Sequence, residues 1–290
     1  MVASLHRLDT MRVDTDAWEP SSGGMLQGLR VSVVVPALNE AENLPHVLPR
    51  IPEWVDEVLL VDGHSTDSTA EVAREFCPRV RIVVQEGRGK GAALRSGFAA
   101  ATGDIIVMLD ADGSTDPAEI PAFIGPLLAG AHFVKGSRFI QGGGTSDMSV
   151  MRRLGNWTFV TFVQCFHGGR FSDLCYGYNA FWAHVLPLLA LDGDGFEIET
   201  IMNVRALRAG LKVVEVPSFE APRIHGVSRL RTIPDGWRVL KALWRETTVG
   251  WRQNLRGLIG EGNARVVPLE RGAPSGYAAG TIAPIKQIDL

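Results

Sequence analysis

Val31-Ser-Val-Val-Val-Pro36, followed at once by Ala37-Leu38-Asn39-Glu40, is the stretch that decides the fold. An unbroken β-branched run bounded by Gly28 and Pro36 is a buried strand, of the kind found in parallel sheets covered by helices. Asn39 is placed to cap a helix running to about Arg50. The unit then repeats. Residues 57–62 (EVLLVD) form a strand and Ser65-Thr66 opens a helix to Phe76; residues 80–85 (VRIVVQ) form a strand and 91–101 an alanine-rich helix. Residues 104–110 (DIIVMLD) are a fourth strand, Asp116-Pro117 starts a helix with Pro in its first turn, and 133–136 is a fifth short strand. Strands alternating with helices of about 10–15 residues predict an α/β fold, an open and mostly parallel sheet flanked by helices and joined by right-handed crossovers.

Beyond Gly136 the alternation weakens. A glycine loop (Gly142-Gly143-Gly144) precedes a helix over 150–166, extended segments follow at 173–182 and 212–217, and one long helix runs from Pro234 to Leu258. The expected organisation is a catalytic domain over 30–232, an amphipathic helix over 233–259, and polar, aperiodic, flexible segments at 1–29 and 260–290. At 290 residues, 46% hydrophobic and 21% charged, the chain can bury a globular core, and its formal net charge of −3 excludes a protein that coats nucleic acid by bulk charge. Cys77, Cys165 and Cys175 have no CxxC spacing, which argues against a disulfide scaffold or structural zinc and for a reducing, cytoplasmic setting. The first 30 residues carry no apolar stretch and do not resemble a signal peptide. No window reaches the roughly 18 apolar residues of a spanning helix; the runs at 157–166 and 185–191 are short and are expected in the core.

Ligands of an open parallel sheet bind beyond the carboxyl ends of its strands. Here those ends carry Pro36-Ala37-Leu38-Asn39-Glu40, Asp62-Gly63-His64-Ser65, Gly87-Arg88-Gly89-Lys90-Gly91 and Asp110-Ala111-Asp112-Gly113. Two carboxylates spaced by one small residue at a strand end suit Mg²⁺ or Mn²⁺, which takes one or two carboxylates and completes its shell with substrate phosphate. Asp-x-Asp alone is common in solvated turns; three further polar strand ends beside it make the metal reading the better one. The Gly87–Gly91 segment lacks the spacing of a P-loop or of a dinucleotide fingerprint.

Taken in order, VVVPALNEAENL, VDGHSTDST, GRGKGAALRSGF, DADG, KGSRF and HGVSRL resemble family-2 glycosyltransferases of the A-type (GT-A) fold, and among them the dolichol-phosphate mannose synthase-like polyprenyl-phosphate glycosyltransferases. The resemblance covers about Val31 to Leu230. It implies an inverting, metal-dependent transfer of a sugar from GDP-mannose or a UDP-hexose to a polyprenyl phosphate. Pro36, Ala37, Asn39, Glu40 and Asp62 then hold the base and ribose, Arg88 and Lys90 lie near the donor phosphates, and Asp110, Ala111 and Asp112 form the motif that carries Mg²⁺ or Mn²⁺. Arg138 and Arg152 receive the acceptor phosphate, and Arg223, Ser228 and Arg229 belong to a basic loop that folds over the site. Asp112, Arg138 and Glu197 are the expected catalytic set. Two departures bear on the donor: Gly63-His64 replaces the usual Asp-Gly, which leaves guanine and uracil both open, and Ser114 stands where a longer polar side chain is frequent near the metal.

A phosphate acceptor is already ionised at neutral pH and needs no general base, whereas a hydroxyl acceptor does. For a hydroxyl of a glycan or small molecule, the resemblance offers Glu197 and Glu199, with Glu197 preferred. A catalytically inactive sugar-nucleotide-binding protein is disfavoured by the presence of Asp110, Asp112 and Arg138, and a nucleotidyltransferase by the absence of a Gly-rich loop after the first strand. Finally, Trp237, Leu240, Trp244, Trp251, Leu255 and Leu258 fall on one stripe of the long helix, with Arg238, Lys241, Arg245, Arg252 and Arg256 along its flank. Such a stripe either packs on the catalytic domain or rests on a membrane surface as an interfacial helix, which would place the protein peripherally on the inner face of the membrane.

Overall fold

The computed structural model describes residues 28–258. The segments expected to be flexible at 1–27 and 259–290 lie outside the described residues. The chain divides into one unit over 1–252 and a second over 253–290, of which 253–258 are described as helical backbone.

The first half alternates as the sequence pattern requires. In order come β1 (Val31–Ala37), α1 (Leu44–Val47), β2 (Glu57–Asp62), α2 (Thr69–Phe76), β3 (Val80–Val84), α3 (Lys90–Ala100), β4 (Ile105–Met108), α4 (Ile120–Leu128) and β5 (Phe133–Ser137). The second half contains β6 (Gly144–Thr145), α5 (Val150–His167), β7 (Asn179–Trp182), α6 (Leu186–Leu189), α7 (Glu197–Arg208), β8 (Val213–Pro217), β9 (Phe219–Glu220) and α8 (Thr232–Leu258). Seven strands form one sheet in the order β3-β2-β1-β4-β7-β5-β8, and β6 and β9 form a separate pair. β1, β2, β3 and β4 are parallel, while β7 runs antiparallel to both β4 and β5.

Burial on both faces explains the continuous apolar strands. Val33, Val35, Val58, Leu60 and Val107 face α1, α2 and α4. Val34, Leu59, Val61, Ile106 and Met108 face α3 and α7. A third cluster joins α5, α7 and α8 through Val163, Val204, Val239 and Leu243.

Two features of this topology place the site. The chain proceeds outward from β1 to β3 and then returns to the other side of β1 as β4, so the order reverses between β1 and β4 and a crevice opens beyond their carboxyl ends. The antiparallel β7 brings residues 173–178 to that same edge from the opposite direction.

Several local expectations shift. Asn39 caps no helix. It sits at φ 55° with its side-chain oxygen accepting from Thr66 N at 2.7 Å, and Pro45 and Pro49 leave only a short α1 followed by a single 3₁₀ turn. The helix expected from Ser65 starts at Thr69 because Ser65 and Thr66 brace the Asn39 loop instead. Asp116 does cap its turn, accepting from Ala118 N at 2.9 Å. The segment 157–166 is not wholly core: Trp157 is 63% exposed and Phe166 is exposed, as is Leu188 of the 185–191 run.

Candidate active site

A cavity of about 1130 Å³ opens over the β1–β4 crevice. At one end it is lined by Pro36, Ala37, Leu38, Gly63, His64 and Gln85. Lys90, Asp110, Asp112 and Glu199 form its centre, and its far end lies between α5 and α8, where Met151, Leu154, Phe159, Ile233, Trp237 and Leu240 make it apolar.

The centre is built on ion pairs. Lys90, the first residue of α3, places Nζ 2.6 Å from Asp110 Oδ1 and 2.7 Å from Glu199 Oε1. Burial alone would lower the pKa of Lys90, but the two carboxylates outweigh it and raise it, which favours the ammonium form. Burial raises the carboxyls of Asp110 and Glu199 above their ordinary range, with Lys90 opposing the rise in both. Asp112 is held differently. One oxygen accepts from Ser114 N and Oγ, at 3.0 and 2.6 Å, and the other lies 3.2 Å from Arg223 Nη1. Arg223 also pairs with Glu40, so one guanidinium bridges the β1 and β4 ends.

Gly177 is required at this point. A β-carbon there would lie 2.7 Å from Glu199 Oε1 and 2.9 Å from both Asp110 Oδ2 and Lys90 Nζ. An isolated glycine between Tyr176 and Tyr178 in an extended segment is a signal of close backbone approach.

The glycine-rich segment before α3 does not cradle phosphate with its helix amides. Gly91 N and Ala92 N donate to the carbonyl of Asp194, at 2.8 and 3.3 Å, and a β-carbon at Gly89 or Gly91 would strike the 193–194 backbone. Glu197 completes that loop by accepting from Asp194 N and Gly195 N at 3.2 and 3.0 Å, and it does not line the cavity. Glu199, two residues on and therefore on the other side of the helix, is the one that faces inward.

Of the residues expected to hold the donor, Pro36, Ala37, Glu40, Arg88, Lys90, Asp110, Ala111 and Asp112 line the cavity. Asn39 and Asp62 do not: Asn39 braces Thr66, and Asp62 accepts from Ser65 N at 3.1 Å. Leu38, Gly63, His64 and Gln85 line it without having been singled out as donor contacts; His64 is held at φ 64°.

Of the residues expected at the acceptor, Arg152, Arg223, Ser228 and Arg229 line the cavity, as does Arg138. Arg138 is buried and committed: Nε and Nη2 donate to Asp173 at 2.7 and 2.9 Å, and Nη1 donates to Glu220. Its guanidinium therefore positions two carboxylates and is not a free anion receiver. Cys175 is exposed and lines the cavity.

Among the described residues, no group of three or more His, Cys, Asp or Glu side chains is arranged to hold a metal ion. The donor set is the pair Asp110 and Asp112. That set suits Mg²⁺ or Mn²⁺, which leaves most of its coordination to water and substrate phosphate. Within the ion-paired cluster at the centre, the carboxylates of Asp110, Asp112, Glu40 and Glu199 outnumber the cations Lys90 and Arg223.

The A-type fold, the strand-end carboxylate pair and the cavity along the switch point together define a glycosyltransferase. A model of glycosyl transferase family 2 matches residues 32–182, and the chain belongs to that family. It is 34% identical over 221 residues to glycosyltransferase AglJ of Haloferax volcanii, covering 74% of this chain and 71% of that one. It is 31% identical over 246 residues to polyprenol monophosphomannose synthase of Mycolicibacterium smegmatis, covering 79% and 91%. Among solved structures, glucosyl-3-phosphoglycerate synthase from Mycobacterium tuberculosis in complex with Mn²⁺, UDP-glucose and phosphoglyceric acid superposes with a TM-score of 0.60 at 26% identity, over 77% of this chain and 82% of that one. The protein is thus a hexosyltransferase-type enzyme of family 2, similar to polyprenyl-phosphate mannose synthases.

Proposed function

We propose that this enzyme transfers one sugar, with inversion, from a GDP- or UDP-linked donor to a polyprenyl phosphate at a membrane surface. The donor occupies the end of the cavity at β1 and β2, and the acceptor enters between α5 and α8. Asp110 and Asp112 would hold Mg²⁺ or Mn²⁺, which when bound supplies positive charge to the departing nucleoside diphosphate. Arg152 and Arg229 draw the acceptor phosphate toward the sugar through charge-assisted bonds, and the phosphate oxygen attacks from the face opposite the leaving group. The apolar walls around the entrance keep water from competing.

One observation carries the phosphate acceptor over a hydroxyl. The carboxylates at the centre and walls of the cavity are already paired, Glu40 and Asp112 with Arg223, Asp110 and Glu199 with Lys90, Glu220 with Arg138 and Asp235 with Arg238, while half-exposed Asp147 stands 3.8 Å from Arg152. A carboxylate locked to a cation is a poor general base, and Glu197 is turned into its own loop. An ionised phosphate does not need such a base.

The surface around the apolar end supports the membrane part. Val150, Met151 and Leu154 of α5 and Ile233 of α8 are exposed, and Trp157, Trp237 and Trp244 are each at least 60% exposed. Exposed Arg153, Arg238, Lys241 and Arg245 fringe them. Tryptophans at headgroup depth beside cations suit an interfacial helix on anionic lipid. The rest of the expected stripe, Trp251, Leu255 and Leu258 with Arg252 and Arg256, has no described side chains. No helix of the described residues is long and apolar enough to cross a membrane.

The test is transfer of labelled sugar from GDP-mannose, UDP-glucose, UDP-GlcNAc or UDP-glucuronate into an organic-extractable polyprenyl phosphate with Mn²⁺ or Mg²⁺. The expected outcome is lipid-phase label from one donor, lost in Asp112→Asn. Metal-dependent donor hydrolysis with no lipid label would replace this reading by the hydroxyl one.

A further inference from the structure

Lys90 is a problem for the metal site as well as a part of it. Its ammonium lies 2.6 Å from Asp110 Oδ1, so it competes for the same carboxylate that a divalent cation needs. Its neighbours restrict its movement. Its side chain is 14% exposed, the Phe196 ring lies 5.9 Å from Nζ, and the Gly177 backbone closes over it. A lysine ammonium lying on a metal ligand would repel the metal unless its charge is shared with a second anion.

Glu199 is that anion. Its Oε1 sits 2.7 Å from Lys90 Nζ, fully buried, and no well-aligned hydrogen-bond donor reaches it among the described residues. Lys90 is thus the cation in direct contact with Oε1, with the buried ammonium of Lys135 acting on the carboxylate from further away. We propose that Glu199 is a positioning residue for the metal site: by sharing Lys90 with Asp110, it leaves Asp110 able to take a divalent cation. The inference rests on the assignment of Asp110 and Asp112 as metal ligands, and it gives Glu199 a task distinct from that of a general base.

Mn²⁺ binding to the purified full chain, without donor or acceptor, tests it by the loss of the free-ion electron paramagnetic resonance signal. Glu199→Gln keeps the shape and removes the charge, and it should weaken Mn²⁺ binding about tenfold. In a Lys90→Met background, or Lys90→Gln if that chain does not fold, the same change should have an effect of less than about twofold, because no competing cation remains to be shared. A purely structural role for Glu199 predicts the same loss in both backgrounds, and that result would overturn the inference. So would unchanged Mn²⁺ affinity in Glu199→Gln alone. A wild-type protein that binds Mn²⁺ neither alone nor with GDP or UDP present to complete the shell would overturn the metal assignment itself, and this inference with it.

Discussion

Asp173 is fully buried beside the cavity and accepts two side-chain bonds from Arg138. Burial would push its carboxyl upward, but the Arg138 hydrogen bonds and charge, with Lys135 behind them, hold it below its ordinary value. A carboxyl depressed in the folded state adds stability above its unfolded pKa of about 4, and that stability is lost as pH falls through the folded value. Asp173→Asn should therefore cost about 3–5 kcal/mol near neutral pH, the scale for breaking a buried ion pair. In thermal melts taken from pH 7 downward, the gap between wild type and variant should narrow below about pH 4; a gap of constant size would show that the charge does not matter. Arg138 itself was legible in KGSRF, but its partners were not. Asp173 and Glu220 lie 35 and 82 residues further along the chain and meet it only after β5, β7 and β9 are in place.

At the scale of elements, α7 organises both sides of the centre. Its first residue, Glu197, ties down the 193–195 loop that covers the start of α3, and Glu199 in its first turn meets Lys90 from α3. The choice between these two glutamates was not legible in Gly195-Phe-Glu-Ile-Glu-Thr, because two positions along a helix point about 200° apart and only the packing fixes which points inward. The last turns of α7 hold α8. Glu246, 2% exposed, lies 2.7 Å from both Arg205 Nη2 and Arg208 Nη1. Glu246→Gln removes the buried carboxylate charge that both arginines share and should lower global stability by about 3 kcal/mol in denaturant melts. If instead the melt is unchanged, the apolar packing of Val239, Ala242 and Leu243 outweighs these ion pairs in holding α8.

At the scale of the whole molecule, α5 and α8 present one apolar face around the mouth of the cavity. The long-helix tryptophans were visible in the sequence as a stripe. The contribution of α5 was not, since 157–166 has the composition of a core segment and its outward turn depends on α7 and α8 occupying its other side. Trp157 and Trp244 line no part of the cavity, so Trp157→Ser with Trp244→Ser should leave donor binding intact. Burying two such side chains is worth several kcal/mol on the area scale, so the double variant should partition onto anionic vesicles at least tenfold less well in sedimentation assays. Raising the salt should weaken the wild type as well, through screening of the cationic fringe. Equal partitioning of variant and wild type would show that this face does not meet lipid.

The amino-acid sequence by itself determined the alternation of strands and helices, the family, and the polar strand ends, because buried parallel strands and short motifs at their termini are local patterns. It placed Asp110, Asp112, Lys90 and the basic residues near one edge for the same reason. Only the tertiary structure decided what each of them touches: Lys90 divided between Asp110 and Glu199, Arg138 saturated by Asp173 and Glu220, Asn39 spent on a neighbouring loop, and Gly177 left bare to let the backbone pass. Those partners come from distant segments. Charge pairing and burial depend on distances that exist only once the sheet, with its antiparallel β7, has brought the segments together.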